Sequence, residues 1–216
     1  VTAHERIMHC IPDNLTVPVV MAYGYTGNKD IPSIVVNDEE GAHRMMEYLI
    51  DSGHEKIGII TGKTDSIHMQ ERLRGVQRAL FENQVLYNPK SVYYGDWTRK
   101  SGYEGTDQLL EQGVTAIFCM NDLMAGGVYD RLEEKGMVPG RDISVTGYDN
   151  RELSGYYKPP LTTISLPLHD IGYAASEVIM RMVEEKELKE ADGIYRVGCY
   201  MLERGSVRNL KKEQKK

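Results

Sequence analysis

The chain has 216 residues, of which 41% are hydrophobic and 27% are charged, a balance typical of globular rather than disordered proteins. Its 26 basic and 32 acidic side chains give a formal net charge of −6, which argues against a nucleic-acid-binding surface. No run of about 18 apolar residues occurs, so we expect no membrane span and no membrane partner.

The cysteines and the first residues bear on the compartment. Three cysteines are too few for a disulfide framework and favour the reduced thiols of a cytoplasmic protein. Residues 1–10 have neither the basic start nor the apolar core of an export signal, and no initiating methionine. We therefore expect a cytoplasmic protein whose printed sequence starts inside a longer chain.

Short apolar segments alternate along the chain with helical patterns. A turn is predicted at 12–14, and Asn37 and Asp38 are candidate caps of the first helix. The predicted strands are 18–23, 33–36, 56–61, 91–94, 116–120, 143–148, 161–165 and 194–202. Helical spacing predicts helices over 42–50, 69–80, 103–110, 124–132 and 167–182, and the lysine-rich tail is expected to fray.

Alternation of this kind predicts a doubly wound α/β fold with parallel sheets. Ligands of such sheets bind beyond the carboxyl ends of the strands. The residues that follow each strand are therefore the candidates for function.

Signals for catalysis or metal binding are mostly absent. The chain has no glycine-rich phosphate loop and no G-x-S-x-G elbow. Its six histidines are dispersed, and its cysteines lack zinc-finger spacing. A nucleophile without a placed base is a weak basis for an enzyme, so we expect no enzymatic activity, no cofactor and no bound metal.

The strand ends instead carry groups suited to binding. Asp149 follows the strand 143–148, Asn121 follows 116–120, and Trp97, the single tryptophan, follows 91–94. Arg72 lies on the helix after 56–61. An indole stacks on a sugar ring or a base, while a carboxylate, an amide and a guanidinium match vicinal hydroxyls. We expect alanine at Asp149 or Arg72 to abolish binding and leave the fold intact.

Each candidate also has a structural explanation. Asp149 could cap the next short helix, and Asp122 is the preferred cap of the helix from Leu123. Asn121 could shape a turn, Arg72 could be a surface arginine, and Trp97 could pack in the core. Tyr23 is equally ambiguous, and His68 reads as an ordinary polar loop residue.

Six stretches together resemble the effector-binding domain of the LacI/GalR-type transcriptional regulators. They follow the order and spacing of that family and cover most of the chain. They are AHRMMEYLIDSGHEKIGIITG (42–62), ERLRGVQRAL (71–80), AIFCMNDLMAGGV (116–128), DISVTGYDN (142–150), PPLTTISLPLHDIGYAA (159–175) and LERGS (202–206).

The resemblance implies a fold of two Rossmann-like lobes with parallel sheets, of the periplasmic-binding-protein-like type I, with the ligand in the cleft between them. It implies an incomplete N-terminal lobe of 1–36 and 166–201, a C-terminal lobe of 37–165 and 202–210, and a tail of 211–216. The effector positions of the family fall on Arg72, Asp149, Asn121, Trp97, Leu168, Ser66 and His68.

Two departures from the family bear on function. The helix-turn-helix and the first strand–helix units have no counterpart before Val1, so operator DNA is expected to bind only through that absent part. Tyr23 stands at a strand end that is acidic in some sugar-responsive members, and it is kept as a candidate contact. The effector is expected to be a sugar, with a purine as the other possibility, because an indole with Asp149 also suits a base.

The resemblance implies a homodimer or tetramer in which effector binding alters the spacing of the DNA-reading helices. A periplasmic sugar-binding protein of a transporter is the main alternative, and an export signal upstream would identify it. The PPLTTI and GHEKIG stretches favour the regulator. An α/β enzyme is a second alternative, which predicts turnover of the bound ligand.

Overall fold

Strands and helices alternate along the chain, as the apolar periodicity predicts. The computed structural model describes residues 16–185 and 193–213. The strands are β1 Met21–Ala22, β2 Ser33–Val36, β3 Ile57–Thr61, β4 Val92–Tyr94, β5 Ala116–Cys119, β6 Ser144–Asp149, β7 Thr162–Ser165, β8 Ile194–Val197 and β9 Tyr200–Leu202. The α-helices are α1 Asp38–Asp51, α2 Ile67–Glu82, α3 Arg99–Glu111, α4 Asp122–Glu134, α5 Leu168–Glu185 and α6 Leu210–Glu213.

The chain divides into two compact units, with boundaries after Asn37, Leu166 and Cys199. The first unit contains β1, β2, α5 and β8, and its strands form a parallel sheet in the order β1–β2–β8. The second unit contains a six-stranded sheet in the order β4–β3–β5–β6–β7–β9. That sheet is parallel except for β9, which runs antiparallel to β7.

Three element predictions need correction. The strand predicted over 194–202 is two strands, because β8 pairs with β2 of the first unit and β9 pairs with β7 of the second. The strand predicted over 18–23 shortens to β1, since Pro18 has no N–H for a ladder and Tyr23 has a φ of 57°. Residues 211–213 of the predicted tail belong to α6, while the turn at 12–14 and Cys10 lie outside the described residues.

Close helix pairing supports the sheet of the second unit. The helices α1 and α2 pack together, as do α3 and α4, and both pairs contact the sheet. A Cβ at Gly75 of α2 would lie 2.0 Å from the backbone oxygen of Glu39 of α1, so only glycine permits this approach. Strands β3 and β5 are buried along their whole length, as expected for parallel strands covered on both faces.

None of the helices in the described ranges combines the length and apolar character needed to cross a membrane.

Candidate ligand-binding site

The carboxyl ends of four adjacent strands in the second unit carry most of the predicted site residues. Trp97 follows β4, Ser66 and His68 follow β3, Asn121 follows β5, and Asp149 is the last residue of β6. Since these strands are neighbours in the sheet, residues distant in the chain meet at one edge. Arg72, on the second turn of α2, also contacts this edge.

Arg72 is a buried cation, with only 3% of its surface exposed. Its Nε donates a hydrogen bond to Oδ1 of Asp38 at 2.7 Å, and its Nη1 lies 3.6 Å from Oδ1 of Asp149. Nη1 also donates to the backbone oxygen of Met120. The guanidinium carbon lies 3.6 Å from the ring centroid of Tyr148 and 5.6 Å from that of Trp97. The explanation of Arg72 as a surface arginine was therefore wrong.

Asp38 is the site residue whose role the sequence did not reveal. Its carboxylate is fully buried and binds both Arg72 and Nδ1 of His68, each at 2.7 Å. Burial acts to raise the pKa of this carboxyl, but the Arg72 charge and the His68 hydrogen bond outweigh it and hold the pKa below its usual value. Asp38 is therefore ionised at neutral pH.

His68 lies on the first turn of α2 and is buried, so its reading as an ordinary polar loop residue was wrong. Nδ1 of the His68 ring donates a hydrogen bond to the Asp38 carboxylate. The other ring nitrogen, Nε2, therefore points away from that carboxylate. Ser66 is fully buried at the N-cap of the same helix, where its Oγ accepts a hydrogen bond from the Met69 amide at 3.4 Å.

Asp149 ends its strand in a backbone conformation that is uncommon for a residue with a side chain. Its φ is 105°, and that of Asn150 is 54°. Asn150 is held in place by Arg204, whose Nη2 donates to its side-chain oxygen at 2.8 Å. Burial raises the pKa of Asp149 while Arg72 opposes that rise. Asp149 does not cap the following short helix, Glu152–Gly155, whose N-cap position is Arg151.

Asn121, not Asp122, caps α4. The Asn121 side-chain oxygen accepts from the Met124 amide at 2.8 Å, and its Nδ2 donates to the backbone oxygen of Trp97 at 3.0 Å. The prediction of Asp122 as the cap was wrong because its carboxylate accepts hydrogen bonds from the Arg151 amide and the Thr163 hydroxyl. Both atoms of the Asn121 amide are thus engaged in placing the Trp97 loop and α4.

Trp97 also has a positive φ, of 75°. Its indole lies over Gly62, where an added Cβ would come within 2.0 Å of the ring. Its Nε1 is buried and has no hydrogen-bond partner among residues 16–185 and 193–213. A buried donor of this kind is costly unless another molecule supplies the acceptor.

Two predicted residues belong to the first unit. Leu168 is the first residue of α5 and is 58% exposed. Tyr23 follows β1, and its amide donates to the backbone oxygen of Ile34 at 2.8 Å. Their part in ligand binding stays a prediction.

One group in the described part of the chain has the composition of a metal site. His43 and Glu47 of α1 and Glu82 of α2 place their ligand atoms within 4.8 Å of one another. The His43 Nε2 is 2.6 Å from a Glu82 oxygen across the two helices, and its Nδ1 is 3.3 Å from Glu47 one turn along α1, so these two contacts explain the arrangement.

Comparison with known proteins shows which family and which solved structures the chain resembles. Residues 46–207 match a family described as periplasmic binding protein-like domain. The HTH-type transcriptional repressor PurR of Aliivibrio salmonicida is 35% identical over 185 residues, which are 85% of this chain and 56% of that repressor. The chain thus spans little more than half the length of such curated relatives.

Solved structures of similar fold include transcriptional regulators. A LacI family regulator from Enterococcus faecium with bound ribose has a TM-score of 0.79 and 26% identity, over 89% of this chain and 72% of that one. The lac repressor dimer bound to operator and the anti-inducer ONPF has a TM-score of 0.76 and 29% identity, over 89% and 66% of the two chains.

Proposed function

Because the chain belongs to the periplasmic binding protein-like family and matches its LacI-type transcriptional regulators, we propose that it binds the effector of such a regulator. Binding takes place at the carboxyl edge of the six-stranded sheet. There the ligand meets Asp149, Arg72, Trp97 and His68, with Ser66 and Asn121 shaping the surrounding loops. Tyr23 and Leu168 of the first unit are proposed as further contacts.

The buried position of Arg72 is the observation that carries this proposal. A guanidinium held at 3% exposure between two carboxylates and two aromatic rings is costly to desolvate. Strained residues on either side, Trp97 and Asp149, add to that cost. Such concentrations of buried charge and strain are characteristic of functional sites, where a ligand makes use of them.

A sugar is the ligand class that suits these groups best. The Trp97 indole supplies a face for a sugar ring and an N–H donor without a protein partner. The Asp149 carboxylate accepts hydrogen bonds from hydroxyls. A purine is the second candidate, because an indole beside a carboxylate also matches a flat base with N–H groups. The similar regulator from Enterococcus faecium has ribose bound, and by similarity this supports a sugar as the ligand of this chain.

In the cell, effector binding is proposed to control operator binding, as the names of the relatives indicate for them. The coupling free energy of such systems is typically about 1–3 kcal/mol. We propose a homodimer in the cytoplasm, with the operator bound by a helix-turn-helix outside the sequence described here. The ligand is released unchanged, which separates this proposal from an enzyme. A transporter component would instead show no effect of its ligand on operator binding.

Calorimetry with sugars and nucleobases tests the proposal. We expect one of them to bind, and Asp149→Asn to weaken its affinity by about 10- to 100-fold through loss of a hydrogen bond to a charged group. Asparagine tolerates positive φ, so the turn is retained. Glu133→Gln, an exposed change on α4, is the matched control and leaves the affinity unchanged. Equal affinity in Asp149→Asn and the wild type would contradict the site.

A further inference from the structure

The charges around Arg72 restrict the kind of effector that the site accepts. We propose that Asp38 and Asp149 together neutralise Arg72, so that the site selects an uncharged ligand and rejects phosphorylated or carboxylated ones. This inference rests on the proposed function, because it concerns the ligand of that same site.

At least two of the three nitrogen atoms of the Arg72 guanidinium are directed at partners within the protein. Nε donates to Asp38, and Nη1 donates to the Met120 oxygen and faces Asp149 at 3.6 Å. Sites that bind phosphate or carboxylate use a guanidinium as a two-pronged donor whose charge the protein has not already compensated. Arg72 does not offer that fork at either edge, because Nε of its side edge donates to Asp38 and Nη1 of its end edge donates to the Met120 oxygen.

Helix packing makes this neutralisation permanent. Asp38 is the first residue of α1, whereas Arg72 lies on α2, and the close contact at Gly75 fixes these helices against each other. Asp38 is fully buried, so it cannot swing into solvent to release Arg72. An arriving anion therefore could not displace this carboxylate without separating the two helices.

Among the described residues that contact Arg72 and Asp149, the positive charges do not outnumber the negative ones. His68 is bound by Asp38, and Arg151 has its Nε 3.6 Å from Oδ2 of Asp149. Two guanidiniums thus face two carboxylates. The side chain of Arg151 is 52% exposed, so solvent screens its charge, whereas both carboxylates lie closer to the buried edge. An anionic ligand would be desolvated beside Asp149 without compensation.

An uncharged ligand meets the complementary groups. Its hydroxyl or N–H groups donate to Asp149, which has oxygen lone pairs beyond its two ion pairs. An oxygen atom of the ligand accepts a hydrogen bond from the buried Nε1–H of Trp97. These interactions satisfy the polar groups of the site without adding charge, which is the condition for binding at low cost.

Inorganic phosphate tests the charge argument without knowledge of the natural ligand. Trp97 is the single tryptophan and lies 5.6 Å from the Arg72 guanidinium, so its fluorescence reports on the site. We expect the wild-type chain to show no saturable response to phosphate. Asp149→Asn should bind phosphate at least about tenfold more tightly, since it removes the charge that repels the anion. Asp107→Asn, which removes an exposed carboxylate on α3, should bind no better than the wild type.

A second arm compares D-ribose with D-ribose 5-phosphate and D-glucose with D-glucose 6-phosphate by calorimetry. In each pair the uncharged form should bind the wild type more tightly, and Asp38→Asn should narrow or reverse the difference. Asp38→Asn is assayed by circular dichroism first, and Asp149→Asn supplies the same test if it does not fold.

Two results overturn the inference. One is saturable phosphate binding by the wild type that is as tight as in Asp149→Asn. The other is an Asp149→Asn variant that gains no affinity for phosphate, which would show that charge is not what excludes the anion. A different result would contradict the proposed function: no uncharged sugar or nucleobase binds the wild type. The phosphate titrations would still test the charge inference in that case.

Discussion

Two arginine clusters in the second unit have similar short contacts and very different surroundings. Arg72 binds Asp38 at 2.7 Å and has 3% of its side chain exposed. Arg131, on α4, binds Asp107 and Glu134 at 2.7 Å each, with 26% of its side chain exposed and with partners that are more exposed still. Their distances do not distinguish them.

The two clusters differ in the free energy needed to remove their charges from water. Around Arg131 the solvent screens the charges, so the hydrogen bonds to Asp107 and Glu134 raise the arginine pKa with little consequence for folding. Around Arg72 the charges are removed from water, so the loss of either partner leaves an uncompensated ion in the interior. Burial at the carboxyl edge of the sheet, rather than the number of ion pairs, distinguishes Arg72, the arginine proposed to bind the ligand, from Arg131.

Asp38→Ala tests this comparison most strongly. It leaves the buried guanidinium of Arg72 without its principal counter-ion, so we expect the free energy of unfolding to fall by about 3–5 kcal/mol in urea titrations. Asp107→Ala, the same change beside Arg131, should shift the unfolding midpoint very little. Equal losses of stability in the two variants would show that burial does not separate the clusters. For the same reason we expect Arg72→Ala to destabilise the fold, in contrast to the sequence-based expectation.

Asp122 provides the pH dependence that an exposed carboxylate such as Asp107 lacks. Burial raises the pKa of Asp122 to about 7, above the value of 3.8 in an unfolded chain. The folded state therefore binds the proton more tightly, and its stability falls as the pH rises from about 4 to about 7, by about 1.4 kcal/mol per pH unit. Asp38, whose pKa is lowered, acts in the opposite sense only below that window.

Asp122→Asn should remove this component from the pH profile of the unfolding free energy, measured between pH 4 and 8. Asp107→Asn should leave the profile in that window unchanged, because the pKa of Asp107 is lowered by its hydrogen bonds to Arg131 and Lys135. A wild-type unfolding free energy that rises, rather than falls, between pH 4 and pH 7 would contradict a raised pKa for Asp122.

Gly62→Ala gives the smallest expected effect on stability and sharpens the role of the indole. A Cβ at Gly62 would come within 2.0 Å of the Trp97 ring, which must therefore move. We expect a loss of about 1–3 kcal/mol, a shifted fluorescence maximum and weaker effector binding. Gly155→Ala is the control, because a Cβ there has no neighbour within 4 Å. Unchanged fluorescence in Gly62→Ala would mean that the ring is not seated against this glycine.

Much of the fold and part of the site could be predicted before any coordinates. The apolar runs at β3, β5 and β6 and the amphipathic helices between them are local patterns, so they identify a parallel α/β fold. The rule that ligands bind at the carboxyl ends of strands then selects Trp97, Asn121 and Asp149. The same local reasoning failed at 194–202, because a strand pattern does not state which sheet each part joins.

Asp38 shows why the rest could not be predicted. In the sequence it is one of three acidic residues in the first turn of a helix, where an acid is favoured by the helix dipole alone. Nothing in that position separates it from Glu39 or Glu40, which bind the more exposed Arg78. Asp122 was misassigned for the same reason.

The spacing of apolar side chains along the sequence determined the class of fold and the candidate positions for ligand binding. Both follow from the geometry of single helices and strands. Tertiary structure alone decided that Asp38 lies against Arg72, 34 residues further along the chain. That contact depends on how closely α1 and α2 pack, and packing places two carboxylates around one buried guanidinium.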